Sequence, residues 1–249
     1  MIPGVQISSL RPLLTTEEEV RAAFMKVSAM GCSTVQLQWI DPSVSIKSIA
    51  RSLKAASLSS VSVQDFYETI RENKEYYIRL NQQTGGVWMC VSRIPDRLKS
   101  RPGLDRYIDE LRAFQAELNP FGQKLCLHPV SADFEPVEGL DPVGYLLEQM
   151  PELHICLDLY HLNKRGFDLP GWIGRYAGRI CMVHFKDEKS GSLVPAGQGD
   201  TDWTGVAGAC LRTGIPYAFV EQERWAKDPF DCLREALDWL KSEISAAEA

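Results

Sequence analysis

The sequence predicts a single (β/α)8 barrel, the TIM-barrel architecture, over residues 1–249, and two observations support this prediction. Short apolar runs of four to eight residues alternate with longer amphipathic stretches along the chain. Eight such units in 249 residues match the ~250 residues typical of this fold. A doubly wound open sheet is the alternative. The absence of a G-x-G-x-x-G segment after the first predicted strand disfavours a nucleotide-binding sheet of that kind.

The eight predicted strands are rich in Val, Ile, Leu and aromatic residues. Strands that alternate with helices pair in parallel through right-handed crossovers, so we expect all eight to run in one direction. The predicted strands are Val5–Leu10, Thr34–Ile40, Ser59–Gln64, Gly86–Val91, Lys124–His128, Leu153–Leu159, Arg179–Phe185 and Tyr217–Glu221.

The predicted helices carry recognisable start and stop signals. Thr16 precedes Glu17 and Glu18, which is typical of a capped helix start with acidic residues in the first turn. Apolar residues recur at helical spacing over Leu104–Leu118 and Pro229–Ile244, and a further helix is expected near Val44–Leu58. Glycines expected to end helices just before strands are Gly31, Gly85, Gly122 and Gly214.

Composition limits the partners that this chain can have. Asp and Glu (33) outnumber Lys and Arg (27), which gives a net charge of −6 without a compensating basic block, so we expect no nucleic-acid binding. No apolar run approaches the ~20 residues that span a bilayer, and the chain opens on a strand-like segment without a signal core. We therefore expect a cytoplasmic protein that does not bind membranes. An assembly of identical chains is compatible with the sequence.

The seven cysteines are dispersed, odd in number and never in C-x-x-C spacing. Most of them lie inside apolar runs, as buried structural thiols do. The sequence therefore predicts buried thiols rather than a redox or zinc-finger role.

Candidate metal ligands follow apolar residues at the ends of four consecutive strands. His128 ends the fifth strand, Asp158 the sixth, His184 the seventh and Glu221 the eighth. In a barrel of this type the catalytic groups project from the C-terminal strand ends, so these four should share one rim. Two imidazoles and two carboxylates suit a divalent transition metal. His154 begins its strand at the opposite end and is predicted to be structural.

Several segments of this chain match a known family. About half of the chain resembles the sugar phosphate isomerase/epimerase superfamily, the xylose-isomerase-like barrels that include AP-endonuclease-like (family 2) members. The segments are Leu157–His161, Val183–Asp187, Gly197–Trp203, Val220–Gln222 and, near the start of the chain, Val5–Arg11 and Gly31–Leu37.

The resemblance implies a divalent metal, namely Mn, Mg, Co, Fe or Zn, at the fifth-strand position and at Asp158, His184 and Glu221. It also places His161 and Lys186 near the substrate. One departure concerns His128, since many epimerases of this family have a glutamate there. A neutral imidazole still binds a metal, but the two-glutamate mechanism does not carry over intact. Gln36 likewise stands where relatives often have a glutamate.

These residues are expected to support proton abstraction next to a carbonyl, as in a sugar, sugar phosphate or polyol isomerase or epimerase. Glu221 is the expected base, and His161 or Lys186 would stabilise the developing oxyanion or return the proton. Further candidates for contact with substrate are Glu135, Glu223 and Trp39, and other aromatic residues near predicted rims are Phe66, Trp88, Tyr160 and Trp225.

Three alternatives remain at this point. A keto-inositol-type dehydratase would begin with the same proton abstraction and then expel hydroxide. A catalytically silent barrel would bind a metabolite without exchanging its proton. An AP endonuclease is disfavoured by the few histidines and the negative net charge. The glycines of the turn Gly197–Asp200 have two explanations. They either let the backbone approach a ligand closely or are required only by a tight loop.

Overall fold

The computed structural model describes residues 1–248 and contains the eight strands of a closed barrel plus one short hairpin. Seven of the predicted strands overlap their observed counterparts closely, with ends that differ by up to three residues. The strands are β1 (Ile2–Gln6), β2 (Thr34–Leu37), β3 (Ser59–Phe66), β4 (Trp88–Ser92), β5 (Lys124–His128), β6 (His154–Asp158), β7 (Ile180–Phe185), β8 (Asp187–Lys189), β9 (Ser192–Val194) and β10 (Tyr217–Val220).

The barrel closes in the order β1-β10-β7-β6-β5-β4-β3-β2, and every pair within it is parallel. This confirms the (β/α)8 barrel and excludes the open sheet. The hairpin β8–β9 is antiparallel and stands apart from the barrel. It was not predicted, although the Ser190-Gly191 turn that joins its strands has positive φ angles of 49° and 83°, which is typical of tight hairpins.

Helices follow the barrel strands and cover their outer face. The predicted helices near Val44–Leu58, over Leu104–Leu118 and over Pro229–Ile244 are all present. The helices are α1 (Glu17–Ala29), α2 (Ile46–Ala55), α3 (Tyr67–Glu72), α4 (Lys74–Thr84), α5 (Arg101–Leu118), α6 (Pro142–Gln149), α7 (Leu159–Asn163), α8 (Leu169–Arg175), α9 (Val206–Arg212) and α10 (Pro229–Glu248).

The first strand ends earlier than predicted. The expected strand Val5–Leu10 is β-structure only to Gln6, and Ile7–Leu13 forms a 3₁₀ helix. Ile7–Leu10 are fully buried rather than alternating, because the chain turns over the barrel end where β1 has no further pairing with β2 or β10. The turn begins at Gln6, whose side chain accepts a hydrogen bond from the Ser8 amide at 3.4 Å.

The main apolar core lies between the strands and the helices, where residues such as Val63, Leu127 and Val183 pack outward. A second, smaller cluster fills the inside of the barrel and contains the thiols of Cys90, Cys126, Cys156 and Cys181 with Met182, Phe219, Trp88 and Val61. All seven cysteines are free and buried, as predicted. Between residues 1 and 248 there is no helix of the length and apolarity needed to cross a membrane.

Candidate functional site

Four ionisable side chains converge at the C-terminal end of the barrel. His128 ends β5, Asp158 ends β6, His184 lies one residue before the end of β7, and Glu221 directly follows β10. These strands are neighbours in the barrel, with Asp158 in register with His184. All four residues are buried, and one ligand atom from each lies within 4.8 Å of the others. Two of the separations are 3.8 Å (His128 Nε2 to Asp158 Oδ2) and 3.1 Å (His184 Nδ1 to Glu221 Oε2).

Several polar atoms of this cluster are buried without a hydrogen-bond partner among residues 1–248. They are both ring nitrogens of His128, Oδ2 of Asp158 and Nδ1 of His184. Unpaired buried polar atoms are rare in folded proteins, and one such atom from each of these three residues, within 4.8 Å of the others, fits a bound cation. Burial, and then the neighbouring His184, lowers the pKa of His128 from 6.5 to about 3. His128 is therefore a neutral imidazole at pH 7, which is the form that binds metals.

Gln36 fixes the orientation of His184 from across the barrel. Its Nε2 donates to Oε1 of Gln64 at 2.8 Å, so its own Oε1 is left to face Nε2 of His184 at 2.5 Å. Gln6 Nε2 donates to the same Gln36 oxygen at 3.1 Å. A proton on Nε2 of His184 satisfies this oxygen, and Nδ1 then presents its lone pair to the cluster. The thiol of Cys156 lies 3.3 Å from the same Nε2.

Glu221 is held as a carboxylate. Burial alone would raise its pKa, but the charged surroundings, above all the Lys186 ammonium, outweigh burial and keep the pKa below its ordinary value. The hydroxyl of Ser8, in the 3₁₀ turn after β1, donates to Oε1 of Glu221 at 3.0 Å. The ionised carboxylate is thus anchored on one oxygen and faces the cluster with the other.

Lys186 and Glu223 form an ion pair beside the cluster. The Lys186 Nζ donates to Oε1 of Glu223 at 2.5 Å. Burial lowers the pKa of Lys186, yet Glu221, Asp158 and Glu223 together raise it above its ordinary value, so the side chain stays an ammonium. Burial and then Glu221 raise the pKa of Glu223. The aromatic ring of Tyr160 lies 5.3 Å from Lys186 Nζ.

His161 lies in the first turn after β6 and reaches the same place. Its backbone amide donates to Oδ1 of Asp158 at 3.1 Å, which caps helix α7. Its Nδ1 lies 2.9 Å from Oγ of Ser131, and its Nε2 lies 3.7 Å from Oδ2 of Asp158. The imidazole is thus held between two loops at the barrel rim.

One cavity of about 80 Å³ brings most of the predicted residues together. It is lined by His128, Asp158, His161, Lys186, Glu221 and Glu223 and by the aromatic residues Trp39 and Phe66. The two aromatic rings lie 6.1 Å apart.

Other predicted residues lie elsewhere. Glu135 has a side chain that is 61% exposed and pairs with Arg165 at 3.3 Å, outside the cavity. Trp88 begins β4 at the opposite end of the barrel, where its ring lies 4.9 Å from that of His154, so His154 has the structural surroundings expected of it. Trp225 donates from Nε1 to the carbonyl of Gln222 at 2.7 Å.

The Gly197–Asp200 turn approaches a protein side chain, not a ligand cavity. The amides of Gly197 and Gly199 donate to Oδ2 of Asp187 at 3.1 and 3.0 Å, and Nε1 of Trp203 donates to it at 2.9 Å. A Cβ at Gly199 would lie 2.1 Å from Oδ1 of Asp187. Glycine is thus required here by close packing around a buried carboxylate.

The supporting residues Gln6, Gln64, Ser8 and Ser131 were not found from the sequence. A partial signal existed, since Gln6 and Gln36 each stand between two apolar residues of a strand segment, and both are fully buried. A polar residue within such a run indicates a buried polar network. The pairing of these residues across the barrel arises only when the barrel closes. The local sequence pattern does not specify those pairs.

Comparison with known proteins agrees with this architecture. Residues 24–243 match the family described as xylose isomerase-like TIM barrel. A sugar phosphate isomerase/epimerase from Parabacteroides distasonis superposes with a TM-score of 0.83 at 15% identity, covering 98% of this chain and 94% of that chain. A D-allulose 3-epimerase from Methylomonas sp. superposes with a TM-score of 0.74 at 14% identity, covering 98% of this chain and 98% of that chain.

An AP endonuclease of family 2 from Brucella melitensis gives a TM-score of 0.72 at 17% identity, covering 97% of this chain and 98% of that chain. Identities this low show a shared fold. No relative is found among the curated proteins. The family match spans most of the chain, and the chain therefore belongs to the xylose isomerase-like TIM barrel family.

Proposed function

We propose that this protein is a divalent-metal-dependent isomerase or epimerase of a small sugar, sugar phosphate or polyol. The observation that carries the proposal is the buried cluster of His128, Asp158, His184 and Glu221, whose ligand atoms lie within 4.8 Å of one another. The epimerase and isomerase names of proteins that share the fold support the same class of chemistry.

The donor set fits a divalent ion held by the four clustered residues, with Mn, Mg, Co, Fe and Zn as candidates. When bound, such an ion supplies a Lewis acid that polarises a carbonyl and an adjacent hydroxyl. Gln36 holds His184 in the tautomer that this binding needs.

The proton steps fall to residues around the cluster. Glu221, kept ionised, takes the proton from the carbon next to the carbonyl. The Lys186 ammonium stabilises the negative charge that develops on the substrate oxygen. His161 returns the proton, and Glu223, held against Lys186, is the secondary carrier. In this scheme His161 and Glu223 take over the proton transfer that a second glutamate, at the position of His128, performs in many epimerases of the family.

The experiment is solvent-deuterium exchange into ketoses, measured by NMR over a panel of ketopentoses, ketohexoses and their phosphates. We expect exchange at the carbon next to the carbonyl with wild type. Glu221→Gln should slow this exchange by about 10²–10⁴-fold, the usual contribution of a general base. Glu223→Gln is the matched control and should slow it less. The metal content of each variant is determined alongside.

The products separate the proposal from its alternatives. Exchange accompanied by an isomeric sugar supports it. Loss of water from the ketose would instead establish a dehydratase, and tight binding with no exchange by any member of the panel would establish a silent binding barrel. If Glu221→Gln keeps its metal and exchanges at the wild-type rate, the base is another residue.

A further inference from the structure

One buried hydroxyl group at the barrel rim is explained neither by the fold nor by the proposed ion. Ser92 belongs to the lining of the cavity of about 80 Å³ that adjoins the four clustered residues. Ser92 is 4% exposed, and its Oγ has no hydrogen-bond partner among residues 1–248. Burying a polar atom without a partner costs free energy and is rare in folded proteins, so this hydroxyl indicates a partner from outside the chain.

The alternation of side chains along β4 directs Ser92 into the barrel. Trp88 and Cys90 belong to the cluster that fills the inside of the barrel, whereas Val91 packs in the outer core. Successive side chains of a strand point to opposite faces, so Ser92 points inward as Cys90 does. Ser92 ends β4 in register with His128 of β5, and it therefore lies at the same rim as the four clustered residues.

The proposed ion does not supply the missing partner. The ion would bind unpaired atoms of His128, Asp158 and His184, and imidazoles and carboxylates are the usual protein ligands of such ions. A neutral serine hydroxyl is not among those ligands. His128 is the neighbour of Ser92 on β5, yet both of its ring nitrogens are also unpaired, so no hydrogen bond joins the two residues. The Ser92 hydroxyl is therefore left for a ligand even when the ion is bound.

A second unpaired oxygen belongs to a residue on the opposite side of the same cavity. Oε1 of Glu223 accepts from Lys186, but its Oε2 has no partner within the described part of the chain. Glu223 follows β10, which is four strands away from β4 in the closed ring of eight. A carboxylate oxygen accepts hydrogen bonds, and a serine hydroxyl both donates and accepts them. Such groups on facing walls match a molecule that carries hydroxyl groups along its length, as a sugar or polyol does.

We propose that Ser92 is a specificity-determining residue that binds one substrate hydroxyl group, the one on the carbon beyond the two carbons that react. The inference rests on the proposed function, in which the ion polarises the carbonyl and the adjacent hydroxyl. In a 2-ketohexose these oxygens are on C2 and C3, so the next one along the chain is the C4 hydroxyl. A site that binds a hydroxyl disfavours an analogue that lacks it, because the buried protein group is then left unpaired.

The test uses three sugars that differ only at C4, namely D-fructose, its C4 epimer D-tagatose and their common analogue 4-deoxy-D-fructose. Dissociation constants are measured by titration calorimetry on protein purified without chelator, for wild type, Ser92→Ala and Ser60→Ala. Ser60 is the matched control, since it is also 4% exposed but donates its hydroxyl to the carbonyl of Ser62 and does not line the cavity.

We expect wild type and Ser60→Ala to bind the preferred epimer about three- to tenfold more tightly than the 4-deoxy sugar, the effect of one hydrogen bond. Ser92→Ala should bind these two sugars alike. Its metal content should equal that of wild type, because Ser92 is not a metal ligand.

Three binding results would overturn the inference: a wild type with no preference at C4, a wild type that binds none of the three sugars, or a preference that persists in Ser92→Ala. Loss of metal from Ser92→Ala would overturn it as well, since Ser92 would then support His128 rather than bind substrate.

Solvent-deuterium exchange into the same sugars separates this inference from the proposed function. Exchange by wild type, with a C4 preference that Ser92→Ala leaves unchanged, retains the proposed function and removes the role of Ser92. A C4 preference that depends on Ser92, with no exchange into any of the sugars, retains the binding role and removes the isomerase.

Discussion

Gln36 determines which nitrogen of His184 faces the other three clustered residues. The Gln36 oxygen lies 2.5 Å from Nε2, and Nδ1 lies 3.1 Å from the Glu221 carboxylate. Partners of this kind orient a metal-binding imidazole and fix its tautomer. A glutamine does so without adding a charge to the barrel interior, whereas the glutamate expected from the resemblance would add one.

We predict that Gln36→Leu weakens the affinity for a divalent metal by about 10–100-fold, which is typical when such a partner is lost. The measurement is competition for the metal with a fluorescent chelator. Gln123→Leu is the matched control, since Gln123 is a buried glutamine that bonds Asn81 and Ile78 away from the site. An equal loss in both variants, or none in Gln36→Leu, would show that Gln36 does not position His184.

His128 should make the metal-free protein sensitive to acid. Its pKa is about 3 in the folded chain against 6.5 ordinarily, so below pH 6.5 the unfolded chain binds a proton that the folded chain refuses. The free energy of unfolding therefore falls as the pH drops from 6.5 toward 3, by about 1 kcal/mol between pH 6 and pH 5.

Chemical denaturation at a series of pH values, in the presence of a chelator, measures this dependence. His128→Gln should flatten it. His154→Gln, the same change at the half-exposed histidine below the barrel, should flatten it less. If the free energy of unfolding of wild type depends on pH no more than that of His128→Gln does, then His128 is protonated in the folded chain.

Among the structural elements, the loop that follows β9 depends on one buried carboxylate. Asp187 is fully buried and accepts hydrogen bonds from the amides of Glu188, Gly197, Gly199 and Thr201 and from the indole of Trp203. Asp187 directly follows Lys186, which is the first residue after β7. The hydrogen bonds of Asp187 therefore also hold the backbone from which the Lys186 side chain extends.

We predict that Asp187→Ala lowers the free energy of unfolding by at least about 3 kcal/mol, because several buried N–H groups lose their acceptor at once. Asp238→Ala, at an exposed aspartate of α10, is the control and should change stability by less than about 0.5 kcal/mol. Similar melting curves for the two variants would contradict this account of the loop.

The first strand shows why element boundaries were harder to predict than elements. The run Val5–Leu10 is apolar enough for a strand, yet the chain turns at Ile7. That turn brings the Ser8 hydroxyl to Glu221 and the Ser9 hydroxyl to the amide of Gln222. The contacts join residues 213 positions apart, and no local pattern contains them.

For the whole molecule, the alternation of strands and helices was sufficient to predict the closed barrel and the shared rim of His128, Asp158, His184 and Glu221. Strand ends are the part of a barrel where position in the chain determines position in space. Glu135 lies in a loop after β5, where this rule does not apply, and its side chain is at the surface.

The charge of the whole chain supports one further expectation. With a net charge of −6 and no basic stripe, the protein should bind abasic duplex DNA more weakly than micromolar at physiological salt. A salt titration of binding checks this. Sub-micromolar affinity that falls steeply with salt would instead favour an endonuclease, a name carried by one protein of the same fold.

The most direct test of the central claim is the metal content of protein purified without chelator, determined by elemental analysis beside the double variant Asp158→Asn/His184→Ala. We predict about one divalent ion per wild-type chain and none in the folded double variant. Circular dichroism of the double variant is the control for its folding. Equal metal content in the two proteins, or a wild type that takes up no divalent ion when Mn, Mg, Co, Fe or Zn is supplied, would contradict a metal centre at these four residues.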